Sequence, residues 1–405
     1  MNNPYVIAGN ATVLPSNTLI NFCSVNPAPG AIGWGTLNDA VRFYLWKPTE
    51  LSHFTIDAIG DPGVGKSWNI ELALYDTTDT EVAALSATIS NGVLTASCTT
   101  GTRMRAEPGY YVVIRSTPSG SPATLTRLSW AFVCDSLGAP FIQLPIAGVN
   151  PSITLDRYLG VFSGQYTPVG SVGPASIGRC SVPIRVKALY ANTRDAPGSG
   201  NQWVYTLYVN GASTGVTVTH AGLGLHAETT GLDILIPADA EVYYLCRPTS
   251  SPTLTYHMLT MLAVPQEPGH YPVSVSTGAV SNAANGYSRA FSTYTNTAAT
   301  DANPRNITPA NLMLRLKQHR CRVSTNPGGV GKAWDNRLRQ SGNNLNSLVT
   351  IPNGSTSASD LTNIDSLFGP KKVSLQIAPV STPAAITEHY YSMASYVAPA
   401  CPLML

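Results

Sequence analysis

Charge is what this chain has least of. Asp, Glu, Lys and Arg make up 11% of its 405 residues, against an average near 25% in globular domains. That excludes a highly charged disordered chain and a uniformly basic nucleic-acid binder. Long apolar runs are missing too, since no stretch approaches the ~20 residues that cross a bilayer. A soluble chain with no membrane partner is therefore expected. The opening Met1-Asn2-Asn3-Pro4-Tyr5 has no basic region followed by an apolar run, so no secretory leader is expected. Paired cysteines are also lacking. Cys23, Cys98, Cys134, Cys180, Cys246, Cys321 and Cys401 are odd in number and contain no C-x-x-C. This argues against a disulfide framework and a zinc site, and for reduced packing residues made in a cytoplasm.

Catalytic patterns are missing as well. His53, His220, His226, His257, His270, His319 and His389 occur singly, and there is no G-x-S-x-G elbow. Asp76 and Asp79 lie close together in Asp76-Thr77-Thr78-Asp79-Thr80, where Asx turns are expected rather than an acid/base pair. A calcium site there would lack the ligand spacing of a known loop. No catalytic residue, cofactor or metal is expected, and the chain is not expected to be an enzyme.

What is present is turn chemistry. Glycine and proline number 34 and 31 among abundant Ser and Thr, yet the hydrophobic content is 43%. Many turn formers between β-branched and aromatic runs point to all-β sandwiches.

One stretch organises the rest. Gly60-Asp61-Pro62-Gly63-Val64-Gly65-Lys66-Ser67 matches the phosphate-binding pattern G-x-x-x-x-G-K-[ST]. The match would make a nucleotide hydrolase of the chain, with Lys66 and Ser67 on the phosphates and magnesium. The stretch recurs, however, as Asp195-Ala196-Pro197-Gly198-Ser199-Gly200-Asn201-Gln202-Trp203 and Asn326-Pro327-Gly328-Gly329-Val330-Gly331-Lys332-Ala333-Trp334. The second copy lacks both lysine and hydroxyl, and the third lacks the hydroxyl. The tryptophans Trp68, Trp203 and Trp334 are 135 and 131 residues apart, and each is followed four residues later by a leucine, Leu72, Leu207 or Leu338. A phosphate loop must open a helix. Here Trp203-Val204-Tyr205-Thr206-Leu207-Tyr208-Val209 reads as a strand ending in the Asn210-Gly211 hairpin signal. The glycines are thus expected to form a turn between strands, with the tryptophans and leucines as repeat anchors.

The copies divide the chain into sandwiches at 1–140, 141–270 and 271–405, joined by proline-bearing links at Leu137 to Pro145 and Val264 to Pro272. Such links reach only a neighbouring module, which suggests a closed pseudo-threefold trefoil and a pseudo-trimeric monomer, with higher oligomers open. The predicted strands include Phe54 to Ile59, Val182 to Tyr190, Leu312 to Val323 and His389 to Val397, with Glu228-Thr229-Thr230-Gly231 as a polar turn. Asn353-Gly354 stands level with Asn91-Gly92.

Charge distinguishes the copies. The first carries 7 Lys+Arg and 10 Asp+Glu, the second 6 and 7, the third 11 and 5. Arg315, Lys317, Arg320, Arg322, Arg337 and Arg339 are the candidate interface, fitted to an acidic protein surface. Nucleic acid is the weaker reading, because no stacking aromatics or recognition helix accompany them.

The second copy runs Arg157-Tyr158-Leu159-Gly160-Val161-Phe162-Ser163-Gly164, then Trp203 to Gly211, Val216-Thr217-Val218-Thr219 and Glu228 to Gly231. This succession resembles the jelly-roll-like β-sandwich modules repeated in virion structural proteins of tailed bacteriophages, which include capsid decoration proteins and tail-fibre domains. The first and third copies depart from it, the first by lacking a clear Thr-Thr turn. The resemblance implies a virion protein, assembled in the host cytoplasm, whose partners are the major capsid protein or other virion subunits. A capsid decoration or cement role is expected, with a tail-fibre or receptor-binding protein recognising host glycan as the alternative.

Overall fold

The strand that carries each anchor tryptophan is an inner strand of one sheet, paired on both sides. The structure is a computed structural model; it describes all residues except 1–3, 12–14, 24, 26–33, 35–41, 150, 162–169, 171, 173–176, 292–297, 299–305 and 399–405. Phe162, Ser163, Gly164 and Cys401 therefore lie outside the described residues. Among the described residues every regular element is a strand.

The first unit holds β1 (Tyr5–Ala11), β2 (Asn21–Cys23), β3 (Phe43–Tyr44), β4 (Thr49–Ile59), β5 (Ser67–Tyr75), β6 (Glu81–Ser90), β7 (Thr95–Ser97), β8 (Arg103–Ala106), β9 (Tyr111–Ser119) and β10 (Arg127–Ser136). The second holds β11 (Ile142–Val149), β12 (Arg157–Gly160), β13 (Gly178–Arg179), β14 (Ile184–Thr193), β15 (Gly198–Val209), β16 (Ala212–Gly222), β17 (His226–Ile236), β18 (Glu241–Thr249) and β19 (His257–Pro265). The third holds β20 (His270–Thr277), β21 (Gly286–Arg289), β22 (Asn306–Ile307), β23 (Met313–Val323), β24 (Ala333–Gln340), β25 (Asn343–Pro352), β26 (Ser357–Asp360), β27 (Asp365–Phe368), β28 (Lys372–Val380) and β29 (His389–Ala398). The third unit thus starts at His270, the last residue assigned to the second sandwich from sequence.

Each unit is two antiparallel sheets. In the first, the orders are β1-β10-β4-β7, with β8 also on β4, and β2-β9-β5-β6, with β3 also on β9. The second unit repeats them as β11-β19-β14-β17 and β12-β18-β15-β16, and the third as β20-β29-β23-β26 and β21-β28-β24-β25. Setting aside the short extra strands β3, β13 and β22 and taking β7 with β8 as one position, the first sheet runs 1-8-3-6 and the second 2-7-4-5. That is the jelly-roll order of two interlocked Greek keys.

The sequence pattern explains the layers. β24 alternates, with Trp334, Asn336 and Leu338 inward, as expected of a strand with one wet face. By contrast β10, β19 and β29 are buried almost continuously. One face of each fills its own sandwich, and the other is covered by a neighbouring unit. Glu228 to Gly231 is strand, not turn. It lies within β17, where Gly231 has φ +70° and the pairing with β14 shifts register, so the residues that signal a turn make a bulge instead.

Candidate assembly interface

The three units touch one another cyclically. The short strand β3 packs on β19 of the second unit, β13 on β20 and β29 of the third, and β22 on β1, β4 and β10 of the first. An equivalent element thus meets an equivalent face each time, and the last contact returns to the first unit.

Each seam has its own chemistry. Between the first and second units the Trp46 ring stacks on Tyr190 at 4.5 Å and 5° and on His226 at 4.5 Å and 24°. Leu262, Ala188 and Phe141 complete that cluster. Beside it, fully buried Gln143 accepts from the Trp46 amide at 2.6 Å and donates to Thr49 Oγ1 at 3.0 Å. Between the second and third units the guanidinium of Arg179, 4% exposed, donates to Asp239 Oδ1 at 3.0 Å and Glu241 Oε1 at 2.6 Å. It lies 5.4 Å over the Tyr390 ring, and Arg322 of the third unit reaches the same Glu241 at 2.9 Å.

Between the third unit and the first, Ile307 of β22 sits on Ala8 and Ala131, two small residues that let the strand approach. Asp57, 1% exposed, accepts from Lys372 Nζ of the third unit at 2.9 Å, Arg127 at 3.3 Å and Thr95 Oγ1 at 2.6 Å. The Ala310 amide donates to buried Thr55 Oγ1 at 2.8 Å. Burial, and then the neighbouring Arg127 charge, bring the Arg289 guanidinium down to about 10. Where the first strands of the three units converge, a cavity of about 60 Å³ is lined by residues including Tyr5, Gln143 and Tyr271.

The expected interface residues are spread over two sheets. Arg315, Lys317, Arg320 and Arg322 lie on β23, and Arg337 and Arg339 on β24. Lys317 pairs with Glu267 at 3.1 Å, and Arg322 is held by the seam to Glu241. Arg339 donates to Asn344 Oδ1 at 2.9 Å and Gln376 Oε1 at 3.2 Å, and lies 5.8 Å over the Tyr287 ring. Arg315 is exposed, while Arg320 and Arg337 are half-buried.

The anchor residues Trp68, Trp203, Trp334, Leu72, Leu207 and Leu338 are all fully buried. The loop matching the phosphate pattern joins β4 to β5, so no helix amides follow it. Its own carboxylate occupies the amides: Asp61 accepts from Gly63 N at 2.8 Å and Gly92 N at 3.0 Å. Those two bonds hold Asp61 below the usual carboxylate range. Asn326 does the same in the third unit, accepting from Gly328 N and Gly354 N at 3.0 Å each. Ala196 cannot, and there Asn201 Nδ2 reaches Pro197 O at 3.3 Å.

Several other polar groups are engaged inside the units. Asp76 caps its own turn through Thr78 N and Thr80 N. His257 meets Tyr205 Oη at 2.5 Å and His389 meets Asn336 Oδ1 at 2.7 Å, all inside the sandwiches. Burial pushes His389 down to about 3. The six described cysteines are buried, and among the described residues no cluster of His, Cys, Asp or Glu is placed to hold a metal. Sequence reasoning missed the seam residues and one repeated turn. Ser16 Oγ accepts from Thr18 N and Leu19 N, and Ser152 Oγ from Thr154 N and Leu155 N. The shared Pro-Ser-x-Thr-Leu carried that signal.

No family model and no curated protein matches the sequence. Among solved structures, the chain is similar to one from Sulfolobus Turreted Icosahedral Virus at 12% identity and a TM-score of 0.19, covering 90% of this chain and 83% of that one. It is similar to PNGF-II at 9% identity and 0.17, covering 87% and 99%. It is also similar to the VP2 protein of Infectious Bursal Disease Virus at 11% and 0.12, covering 100% and 80%. At such scores the likenesses carry no argument, and the strand order described above stands on its own.

Proposed function

We propose that this chain is a non-enzymatic virion structural protein, a pseudo-trimer that decorates the capsid shell by binding the major capsid protein. The observation that carries the reading is the cyclic packing of three jelly rolls through β3, β13 and β22. One polypeptide presents three similar lobes about one axis, which suits a site of local threefold symmetry. Unlike a homotrimer, its three seams differ, so each lobe has a fixed address. Jelly rolls also serve lectins and enzymes, so the reading rests on this arrangement together with the burial of His220, His257, His319 and His389 inside the sandwiches.

Imaging purified particles with a label fused to the chain tests it. Three-lobed density on the shell at fixed stoichiometry is expected. Label confined to a tail would favour the glycan-binding fibre, and a particle without the chain would overturn the virion role.

A further inference from the structure

We propose that the end of the ring carrying the β4–β5 loops is its docking face, and that it fits a protein surface with aliphatic sockets rimmed by carboxylates. The inference rests on the capsid reading above and names the surface that does the binding.

The register fixes which loops share an end. Ala11 pairs with Leu128, Ile59 with Arg127, Asn21 with Ser116, and Ser67 with both Ser90 and Ser119. The reversals β1–β2, β4–β5, β6–β7 and β9–β10 therefore lie together, and their equivalents do so in the other units. Of fifteen large hydrophobic side chains exposed among the described residues, nine fall in these reversals. The first unit contributes Leu19, Ile20, Val64 and Val93. The second contributes Leu155, Leu223, Leu225 and Leu254, and the third Val330. Val64 and Val330, at equivalent loop tips, are 85% and 96% exposed. The second unit has Ser199 at that tip, yet Leu223 beside it is 78% exposed. Every lobe thus shows an aliphatic tip, supplied by different loops.

These tips are held in place. Ala123 N donates to Pro62 O at 2.9 Å, Thr253 N to Pro197 O at 2.9 Å and Ala384 N to Pro327 O at 2.6 Å, one tie in each unit. With the Asp61 and Asn326 caps, the loops are preorganised, which lowers the ordering cost of binding. Folding gives no reason to expose them.

Charge indicates the partner. Three acids at this end are already engaged, Asp61 by two amides, Asp156 by Arg247 at 2.8 Å and Asp195 by Arg194 at 2.9 Å, and Glu388 is half-buried. Two residues after the tip valines stand Lys66, exposed, and Lys332, half-buried. A complementary surface is therefore acidic around its apolar sockets. None of the nine exposed hydrophobics is aromatic, whereas a bilayer interface favours Trp and Phe, so a protein is the occupant.

Particles grown without the chain, then mixed with purified chain, test this. Wild type should bind saturably. Val64→Asp, Leu223→Asp and Val330→Asp should each weaken binding about fivefold to tenfold and together at least about 100-fold, because three linked contacts multiply. Melting of the variants should be unchanged. Should the triple variant fail to fold, Lys66→Glu with Lys332→Glu provides the second test, with weaker binding and a flatter salt dependence expected. Failure of wild type to bind overturns the capsid reading itself. Wild-type binding with both variant sets unimpaired overturns only the docking face. Saturable binding to phosphatidylserine–phosphatidylcholine vesicles that is lost in the triple variant would replace the protein partner by lipid.

Discussion

Replacing Asp57 by alanine should open the seam that closes the ring. Its carboxylate is 1% exposed and takes hydrogen bonds from Lys372 at 2.9 Å, Arg127 at 3.3 Å and Thr95 at 2.6 Å. Removing it deprives Arg127, itself 4% exposed, of a carboxylate partner. Breaking a buried ion pair from one side costs about 3–5 kcal/mol. For a unit of this size that corresponds to a fall in melting temperature of roughly 10–20 °C. Lys372→Met is the control, because that side chain is 35% exposed and water can replace much of its contact. About 1 kcal/mol or less is expected there. Calorimetry of both variants reads the difference, with Asp57→Asn separating charge from shape. If Asp57→Ala lies within about 1 kcal/mol of wild type, or costs no more than Lys372→Met, the seam does not work as described.

Trp68→Ala, Trp203→Ala and Trp334→Ala should each cost about 3–5 kcal/mol by denaturant unfolding. Trp68 should cost most, since its indole alone of the three has a recorded acceptor, Ala123 O at 3.2 Å; equal or smaller loss there would contradict this. Acid should destabilise the chain. His389 and His257 are held neutral by burial, His389 at about 3 against an ordinary 6.5. The unfolded chain therefore binds the extra protons, and stability present above the unfolded value is lost as pH falls below it. Each histidine contributes a slope of about 1.4 kcal/mol per pH unit, so His389→Gln should flatten the stability profile between about pH 6 and 4. Titration with magnesium-ATP should leave the tryptophan fluorescence of wild type and Lys66→Ala alike unchanged; saturable binding below about 0.1 mM that Lys66→Ala abolishes would restore the phosphate-loop reading.

The sequence made the repeat legible where one physical need recurs with one residue set. A buried tryptophan after a Gly/Pro reversal is required three times, and Trp68, Trp203 and Trp334 supply it. The cap shared by Asp61 and Asn326 was visible as the levelled Asn91-Gly92 and Asn353-Gly354 pairs, although its hydrogen bonds were not. The seams were hidden because each is solved differently: Trp46 on Tyr190, Arg179 on Glu241, Lys372 on Asp57. No period connects such residues, and their partners lie on other units. Arg322 illustrates the limit. Its charge marked it for a foreign acidic surface, yet its recorded ion-pair partner is Glu241 of its own chain. Glu228 to Gly231 shows the opposite case, where turn-type residues sit in a strand because the pairing of β14 with β17 absorbs them as a bulge.

Closure of the ring is the claim on which the rest stands, and small-angle scattering from the isolated chain reads it directly. A compact three-lobed particle of 405 residues should give a radius of gyration of about 22–25 Å. A line of three beads joined only by the links would exceed about 30 Å. The first value, unchanged on dilution, is the expected result. The second would contradict the cyclic seams and, with them, the pseudo-trimer proposed for the shell.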